Sequence, residues 1–330
     1  PWSCYKPHTN INPTTSIMLL NSRRQILLTT IAACLLGSMS GLKAQIIAYD
    51  WFDYPSGTQL FGTAPGQGNG GYGWATTWSA TSAALSTNLS PGLSYGAQPV
   101  VGGKVVLGNP FGSTGTSASS QRLLPGTLTT LAGGSGSIWI SFYYQNWSTD
   151  NGGLSGFREA KMALFSGATA NANGSANVNG SERLDVGTPN TYSAGANDTL
   201  TLWQGSTYSS SGIATPRGNN PANTVFVLLR MDVDATTGND TAYAWFNPSL
   251  ASEPSTGSAV MFNNTDLSPI NALRFQAGNL NASGTNAVFA IDELYVGRSW
   301  ADVVLVPEPA ISVFCGLGGL VLVFSRARRK

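Results

Sequence analysis

Short runs of β-forming residues, separated by clusters of Gly, Asn, Ser and Thr, limit the folds open to this chain more than any other feature of its sequence. The runs recur at regular spacing, and no amphipathic helical pattern interrupts them. This spacing predicts an all-β domain, a two-sheet sandwich of jelly-roll type. The predicted strands are Ile46–Phe52, Lys104–Leu107, Ser137–Tyr144, Glu159–Phe165, Glu182–Val186, Thr199–Trp203, Thr224–Val233, Thr241–Asn247, Ile270–Gln276 and Ala287–Val296.

The composition agrees with a β-sheet protein. Charged residues make up only 10% of the chain, and 39 of its 330 residues are glycine. Long helices and coiled coils need Glu, Lys and Arg on their outer faces, so this composition disfavours them. The formal net charge of the whole chain is +1, which provides no basic field that could bind nucleic acid.

The N-terminal part of the chain has the pattern of an export signal. If translation begins at Met18, Arg23 and Arg24 form a positive region before the apolar residues 26–36. This apolar run is too short to span a bilayer but fits a signal peptide, and small residues follow it up to a cleavage position before Gln45. We therefore interpret residues 18–44 as a signal peptide.

Residues 1–17 precede the first methionine and contain three prolines, so we expect them to be a disordered upstream segment. Two other export signals overlap the apolar run. The sequence around Arg23 and Arg24 resembles a twin-arginine motif, and the residues up to Cys34 resemble a lipobox. General export is favoured over the lipobox because apolar residues follow Cys34 where a lipoprotein has a polar tether.

The C-terminal end, residues 306–330, consists of a Pro-Glu-Pro motif, the apolar run Ala310–Phe324 and a basic tail. A helix of 15 apolar residues reaches about 22 Å, which is shorter than the roughly 30 Å hydrocarbon core of a bilayer. The basic tail should stay in the cytoplasm, which leaves the Pro-Glu-Pro motif on the outer face. The pattern predicts a short transmembrane helix at residues 310–324; a plain tail anchor is the alternative. The residues of the motif and the tail are Pro307, Glu308, Pro309, Arg326, Arg328, Arg329 and Lys330.

This order of parts resembles the PEP-CTERM sorting signal of Gram-negative bacteria, which a membrane-embedded exosortase recognises and processes. The resemblance implies export, a transient anchor in the inner membrane, cleavage near the motif, and delivery to the cell surface or an extracellular matrix. Its implied partners are the export machinery and an exosortase. Pro307, Glu308 and Pro309 would be the recognition element, and the resemblance assigns no enzymatic activity to the chain.

The segment between the two signals, residues 45–305, contains neither histidine nor cysteine. The chain's single histidine is His8, and its cysteines are Cys4, Cys34 and Cys315. Their positions exclude Ser-His-Asp and Cys-His catalysis, the usual zinc sites and a disulfide framework from this segment. It carries 9 Lys and Arg against 15 Asp and Glu, a net charge of −6. Without disulfides, an exported domain of this size depends on a large hydrophobic core.

The two ends of this segment carry a second resemblance. Residues 49–57 read YDWFDYPSG and residues 70–74 read GGYGW, while residues 290–297 read AIDELYVG and residues 300–302 read WAD. These passages resemble the first and last strands of the concanavalin-A-like, laminin-G-like domains that often precede PEP-CTERM signals. The resemblance implies a jelly roll of two curved antiparallel sheets with its first and last strands adjacent, and, more loosely, sugar or matrix binding.

Glycoside hydrolases of that fold carry alternating Glu and Asp on one strand, because two carboxylates must flank the glycosidic oxygen. No such run occurs here. Asp232 and Asp234 have the required alternation but lead directly into a turn. Asp292 and Glu293 are adjacent and point to opposite faces unless a bulge intervenes. We therefore expect no enzyme, with a divergent carbohydrate-active enzyme as the alternative.

We expect no cofactor. The polar loop of a predicted hairpin between Val225–Met231 and Ala242–Phe246 is the one calcium candidate, because it gathers oxygen ligands without the spacing of an EF-hand. Those ligands are Asp232, Asp234, Asn239 and Asp240.

Aromatic side chains offer the remaining functional signal, because sugar rings stack on exposed aromatic rings. Trp139 and Phe142 lie inside a predicted strand and should be buried. Five aromatic residues at strand ends or in loops are candidates for ligand binding, with burial in the core as the alternative for each: Trp74, Trp78, Trp147, Trp203 and Tyr208. Ser113–Ser120 and Gly167–Gly180 are predicted to be exposed loops. The function expected is a non-catalytic, polysaccharide-binding or structural module of a surface or matrix protein.

Overall fold

Both sheets of the protein belong to one compact unit. The chain divides into Pro1–Ala44 and Gln45–Lys330, and the sheets lie in the second unit. The predicted upstream segment (1–17), signal peptide (18–44) and sorting signal (306–330) lie outside the described residues. Within those residues, no helix is both long and apolar enough to cross a membrane. The computed structural model describes residues 45–60, 70–80, 86–96, 98, 100–108, 118–148, 159–170, 176–177, 180–189, 197–209, 212–236, 238–278 and 287–304.

The described residues form strands and two short α-helices. The strands are β1 Ile46–Asp50, β2 Ser79–Ala80, β3 Ser86–Leu89, β4 Lys104–Leu107, β5 Ala118–Leu123, β6 Ser135–Asn146, β7 Ala160–Ser166, β8 Thr169–Ala170, β9 Ala176–Asn177, β10 Ser181–Thr188, β11 Asn197–Gln204, β12 Thr207–Tyr208, β13 Ile213–Pro216, β14 Val225–Asp234, β15 Asp240–Phe246, β16 Val260–Thr265, β17 Ile270–Ala277 and β18 Phe289–Gly297. The helices are α1 Leu128–Ala132 and α2 Trp300–Val303, and one-turn 3₁₀ helices lie at Pro221–Asn223 and Thr256–Ser258.

Sixteen of the strands form two eight-stranded antiparallel sheets, and β8 and β9 form a separate two-stranded sheet. Sheet 1 has the order β16-β15-β14-β6-β18-β4-β3, and β1 also pairs with β18. Sheet 2 has the order β12-β11-β10-β7-β17-β5-β2, and β13 also pairs with β11. The prediction of an all-β, two-sheet sandwich is confirmed. So is the adjacency of the first and last predicted strands, because Tyr49 of β1 lies opposite Tyr295 of β18.

Alternation along each strand separates a core between the sheets from a second apolar layer outside sheet 1. In β6, Ile140 and Phe142 face the other sheet and join the main core. Trp139 and Tyr143 face outward, where they pack with Val303 and other residues that cover the sheet. Trp139 is 3% exposed and Phe142 is 1% exposed, so their predicted burial is confirmed. Each such side chain contributes about 1.5 to 3 kcal/mol by leaving water.

The predicted exposure of Ser113–Ser120 is wrong for residues 118–120, the part of this segment that the structure describes. Residues 118–120 begin β5, which lies between β17 and β2 and is buried along its whole length. Its polar side chains tolerate burial because they pair: the Ser120 hydroxyl donates to the Ser86 hydroxyl at 2.8 Å. In the second predicted loop, Gly167–Gly180, the described residues 167, 169, 170 and 177 are exposed as predicted, whereas Ala168 and Ala176 are buried in a small apolar cluster outside sheet 2.

Candidate binding groove

A groove lies between the β3–β4 loop and residues 219–224, which precede β14. It consists of two cavities of about 440 and 430 Å³ that share Ser94, Pro221 and Thr224 in their walls. The described walls consist mainly of amide, hydroxyl, proline and glycine residues, together with Tyr95. Lys104 is the one side chain among them that carries a charge at neutral pH.

A bulge in β18 fixes the β3–β4 loop. The register of β18 against β6 shifts between Asp292 and Tyr295, and Glu293 has a φ of 50°. Asp292 Oδ2 accepts the Leu93 N–H at 2.8 Å, and Glu293 Oε1 accepts the Val101 N–H at 2.5 Å. The bulge thus lets two neighbouring carboxylates hold the same loop, and the expectation that they point to opposite faces without a bulge does not apply.

These two carboxylates are structural acceptors beneath the groove. Asp292 is 0% exposed and Glu293 is 2% exposed, and the remaining oxygens accept the Glu293 N–H and the Tyr295 hydroxyl. Burial raises the pKa of Asp292 well above its ordinary value, and the neighbouring Glu293 raises it further. Burial also raises the pKa of Glu293. A Cβ on Gly92 would lie 2.5 Å from Asp292 Oδ2, so a glycine is needed at that position.

Lys104 lines one end of the groove, and Trp147 lies beside it. The Lys104 ammonium lies 5.7 Å from the centre of the Trp147 indole ring and donates to the Pro91 carbonyl at 2.6 Å. The indole N–H donates to Gln145 Oε1, and the Gln145 amide donates to the Asn220 carbonyl at 2.6 Å. Burial lowers the pKa of Lys104, and the carboxylate of Asp292 opposes that shift.

Tyr95 forms an aromatic wall at the other end. Its ring stacks on Phe226 with 5.7 Å between ring centres and an interplanar angle of 21°. Asn247, which shares this cavity, accepts the Phe226 N–H on its side-chain oxygen at 2.8 Å. The ring is therefore supported from behind by a buried neighbour and remains partly exposed toward the groove.

Thr224 lies in the wall that the two cavities share. It is 6% exposed, and its buried hydroxyl has no hydrogen-bond partner among the residues that the structure describes. A buried hydroxyl without a partner costs free energy, so this position is not optimised for stability alone.

The structure separates the five aromatic residues that the sequence selected into three places. Trp147 lies beside Lys104, which lines the groove. Trp74 and Trp78 lie under the Arg122 guanidinium, whose carbon is 5.0 and 5.5 Å from their ring centres. Trp78 is 2% exposed and donates to Asp50 at 2.7 Å, so its ring belongs to the core.

Trp203 and Tyr208 lie on the outer side of sheet 2. Their ring centres are 6.3 Å apart; Trp203 is 2% exposed and Tyr208 is 45% exposed. Tyr208 belongs to the short strand β12, not to a loop as its Ser- and Thr-rich surroundings suggested. It is the exposed ring of this pair.

A cluster of three carboxylates surrounds Lys161 on the same sheet. The Lys161 ammonium lies 2.9 Å from Glu159, 3.1 Å from Glu182 and 3.2 Å from Asp185. Burial would lower the pKa of Lys161, but the three carboxylates outweigh burial and raise it. Burial also raises the pKa of Asp185, which is 0% exposed. Asp185 has no access to solvent and cannot flank a glycosidic bond, and Glu159 and Glu182 both pair with Lys161, so the cluster forms an ion network.

The predicted hairpin forms from β14 and β15, but its acidic residues are hydrogen-bond acceptors of the protein. Asp232 accepts from Arg230 at 2.7 Å. The Asp240 carboxylate accepts the N–H groups of Asp234 and Leu267 at 2.7 Å. In the part of the chain that the structure describes, no group of three or more His, Cys, Asp or Glu side chains is placed to hold a metal ion.

Sequence patterns did not select Tyr95 or Lys104 as site residues. Tyr95 stands in an isolated Ser-Tyr-Gly triplet, and Lys104 begins a predicted strand. The signal that could have selected Lys104 is that it is one of only two lysines in residues 45–305, the other being Lys161.

No protein-family model and no curated protein matches this sequence. Solved structures similar to it include lectin UEA-II in complex with galactose, at 10% identity over 77% of this chain and 99% of that chain, with a TM-score of 0.40. Another is the catalytic domain of a glycoside hydrolase family 131 protein from Coprinopsis cinerea, at 14% identity over 81% and 100% of the two chains, with a TM-score of 0.42. A third is the Ca²⁺-bound exoplasmic/lumenal domain of VIP36, at 10% identity over 78% and 96%, with a TM-score of 0.35.

Proposed function

We propose that the sandwich is a non-catalytic carbohydrate-binding module of an exported surface or matrix protein. The observation that carries this proposal is the chemistry of the groove: an aromatic ring, amides and hydroxyls line it, and its described walls contain no carboxylate. The ring of Tyr95 offers a face on which a sugar can stack, while amides and hydroxyls pair with sugar hydroxyl groups. Glycosidic hydrolysis instead needs two carboxylates flanking the bond.

Five carboxylates that could support the enzymatic alternative instead form structural hydrogen bonds or ion pairs. Asp292 and Glu293 hold the β3–β4 loop from below, and both are shielded from solvent. Glu159, Glu182 and Asp185 surround Lys161 on the other sheet. A non-catalytic module accounts for the groove without displacing any of these interactions.

Glycan binding by the groove can be tested with residues 45–304, which contain both sheets and the described core. We expect the protein to bind an array of polysaccharides selectively, and Tyr95→Ala to weaken that binding about tenfold, equivalent to about 1.4 kcal/mol. Tyr208→Ala is the matched control, because it removes an exposed tyrosine ring from the other sheet. Loss of binding in Tyr208→Ala with Tyr95→Ala unaffected would move the site to sheet 2.

The enzymatic alternative has its own readout. Incubation of the bound polysaccharide with the protein should release no new reducing ends. Reducing ends that accumulate with protein concentration, and that Tyr95→Ala abolishes, would show that the groove is an active site.

We further propose that the protein is anchored transiently in the inner membrane after export, and that an exosortase then sorts it to the cell surface. The support is the order of Pro307–Pro309, the apolar run Ala310–Phe324 and the basic tail, which a plain anchor does not require. Replacing Pro307, Glu308 and Pro309 by alanine should leave export and insertion intact and block maturation. Intact mass spectrometry of surface and membrane fractions checks this. Wild-type protein that still ends at Lys330 in a host with an exosortase contradicts sorting.

A further inference from the structure

Among the described residues, Lys104 has no carboxylate partner, in contrast to the buried cations Arg122, Lys161 and Arg217. In the described chain no Asp or Glu forms an ion pair with its ammonium group. By contrast, Arg122 pairs with Asp50 at 2.7 Å, and Arg217 pairs with Asp198 at 2.6 Å. Among the described residues, the group that accepts a hydrogen bond from Lys104 is the neutral carbonyl of Pro91.

Asp292 favours the charged form of Lys104 without forming an ion pair with it. Asp292 is close enough to affect the pKa of Lys104, but its two carboxylate oxygens accept the N–H groups of Leu93 and Glu293. Burial also favours the protonated, neutral form of Asp292. Lys104 therefore presents a positive charge, without an ion-pair partner among the described residues, in the groove of a domain whose net charge is −6.

A half-buried ammonium without a counter-ion is stabilised by an anionic ligand, because such a ligand replaces the lost hydration with a charge-assisted hydrogen bond. The aromatic wall at Tyr95 lies in the adjoining cavity, so a ligand spanning the groove meets a ring at one end and a cation at the other. A single small anion would use only the cation.

We propose that the groove takes an acidic polysaccharide, with the carboxylate of a uronic acid residue at Lys104 and a neighbouring sugar on Tyr95. This inference rests on the proposed carbohydrate-binding function and specifies its ligand class. The ammonium group of Lys104 is the group in the groove that distinguishes acidic from neutral polysaccharides.

The test uses residues 45–304 with polygalacturonate and with the same polymer after chemical reduction of its carboxyl groups to hydroxyls. We expect the wild type to bind polygalacturonate about tenfold more tightly than the reduced polymer. Lys104→Gln should remove that difference, whereas Lys104→Arg should keep most of it. Raising NaCl from about 0.15 to about 0.5 M should weaken binding of the acidic polymer alone.

Arg298→Gln is the control, because it removes the same charge from an exposed side chain that does not line the groove. Thermal unfolding of each variant shows that the fold is retained. Equal affinity of the wild type for the two polymers overturns the inference and leaves the carbohydrate-binding function standing. If Arg298→Gln reduces binding as much as Lys104→Gln, the attraction is non-specific and the assignment to Lys104 is overturned. Failure to bind either polymer or any array glycan overturns the proposed function as well.

Discussion

Asp50 at the end of β1 links three parts of the chain through one carboxylate, which accepts four hydrogen bonds. It is 1% exposed and accepts hydrogen bonds from the Phe52 N–H at 2.9 Å and the Tyr54 hydroxyl at 2.7 Å. Trp78 and Arg122 each donate to the same Oδ2 atom at 2.7 Å. Because both members of the Asp50–Arg122 ion pair are buried, removing the negative charge leaves an uncompensated cation in the core.

Asp50→Asn should therefore lower the free energy of unfolding by about 3 to 5 kcal/mol, since the amide keeps the shape but loses the charge and one acceptor. Urea unfolding monitored by tryptophan fluorescence measures the change. Asp53→Asn is the matched control: Asp53 is exposed, and the change should stay within about 0.5 kcal/mol. Similar losses in both variants would contradict the role of the buried pair.

Tyr72, which lies between two glycines, pairs with Tyr49 at the edge of β1. Tyr72 and Tyr49 exchange two backbone hydrogen bonds of 2.9 and 3.0 Å, and the flanking Gly71 and Gly73 both have positive φ. A Cβ on Gly73 would lie 1.9 Å from the Ile47 carbonyl oxygen. The segment can approach β1 this closely because glycine has no side chain.

Gly73→Ala should destabilise the protein by about 2 kcal/mol or more beyond the cost of a left-handed backbone, because the methyl group forces the segment away from β1. Gly57→Ala separates the two effects. Gly57 has a φ of 83°, and a methyl group added there would meet no described heavy atom within 4 Å, so only the backbone cost of about 1 to 2 kcal/mol remains. Equal urea midpoints for the two variants would contradict the steric explanation.

Alternation of apolar and polar residues was sufficient to locate most of the long strands. The predicted Lys104–Leu107 and the core of β6 agree with the structure because their side chains alternate or are continuously apolar. The apolar pattern did not predict β5, because its sequence, ASSQRL, is mostly polar. Its buried serines and arginine form hydrogen bonds with residues from distant parts of the chain. Polar burial of this kind depends on tertiary contacts that local periodicity does not contain.

The candidate groove was harder to predict than the sheets. The bulge that turns Asp292 and Glu293 toward one loop depends on the pairing of β18 with β6, which the sequence of β18 alone does not specify. Tyr95 became a candidate only when the fold placed it on Phe226, which lies far along the chain. The choice of aromatic residues at strand ends included Trp147, which lies beside Lys104, but it could not separate exposed rings from buried ones.

The whole molecule carries a pH dependence that comes from buried carboxyl groups. Burial raises the pKa of Asp185, Asp292 and Glu293 above ordinary values. Such groups bind protons more readily in the folded state, so their contribution is fully present below the unfolded pKa of about 4. It is lost as the pH rises through their raised folded pKa. These three groups should therefore lower the free energy of unfolding as the pH rises above about 4.

Other carboxylates change stability over the same range, so the comparison that isolates this effect is between the wild type and Asp292→Asn. The variant cannot ionise at this position, and its urea midpoint should fall less steeply between about pH 4.5 and about pH 7.5 than that of the wild type. Parallel profiles for the two proteins would show that Asp292 has the same proton affinity in the folded and unfolded chains.

The position of β18 inside sheet 1 determines how the domain would bear a mechanical load. β18 pairs with β6 on one side and with β4 and β1 on the other, and the chain continues from it through α2 to Val304. A force applied at Val304 first separates Val303 and Val304 from the second apolar layer outside sheet 1. It then acts on β18 along the length of the strand. Extracting a strand held on both sides requires many backbone hydrogen bonds to break together, whereas an edge strand can peel away one bond at a time. A protein tethered from this end would therefore resist extension through a strand that neighbours hold on both sides.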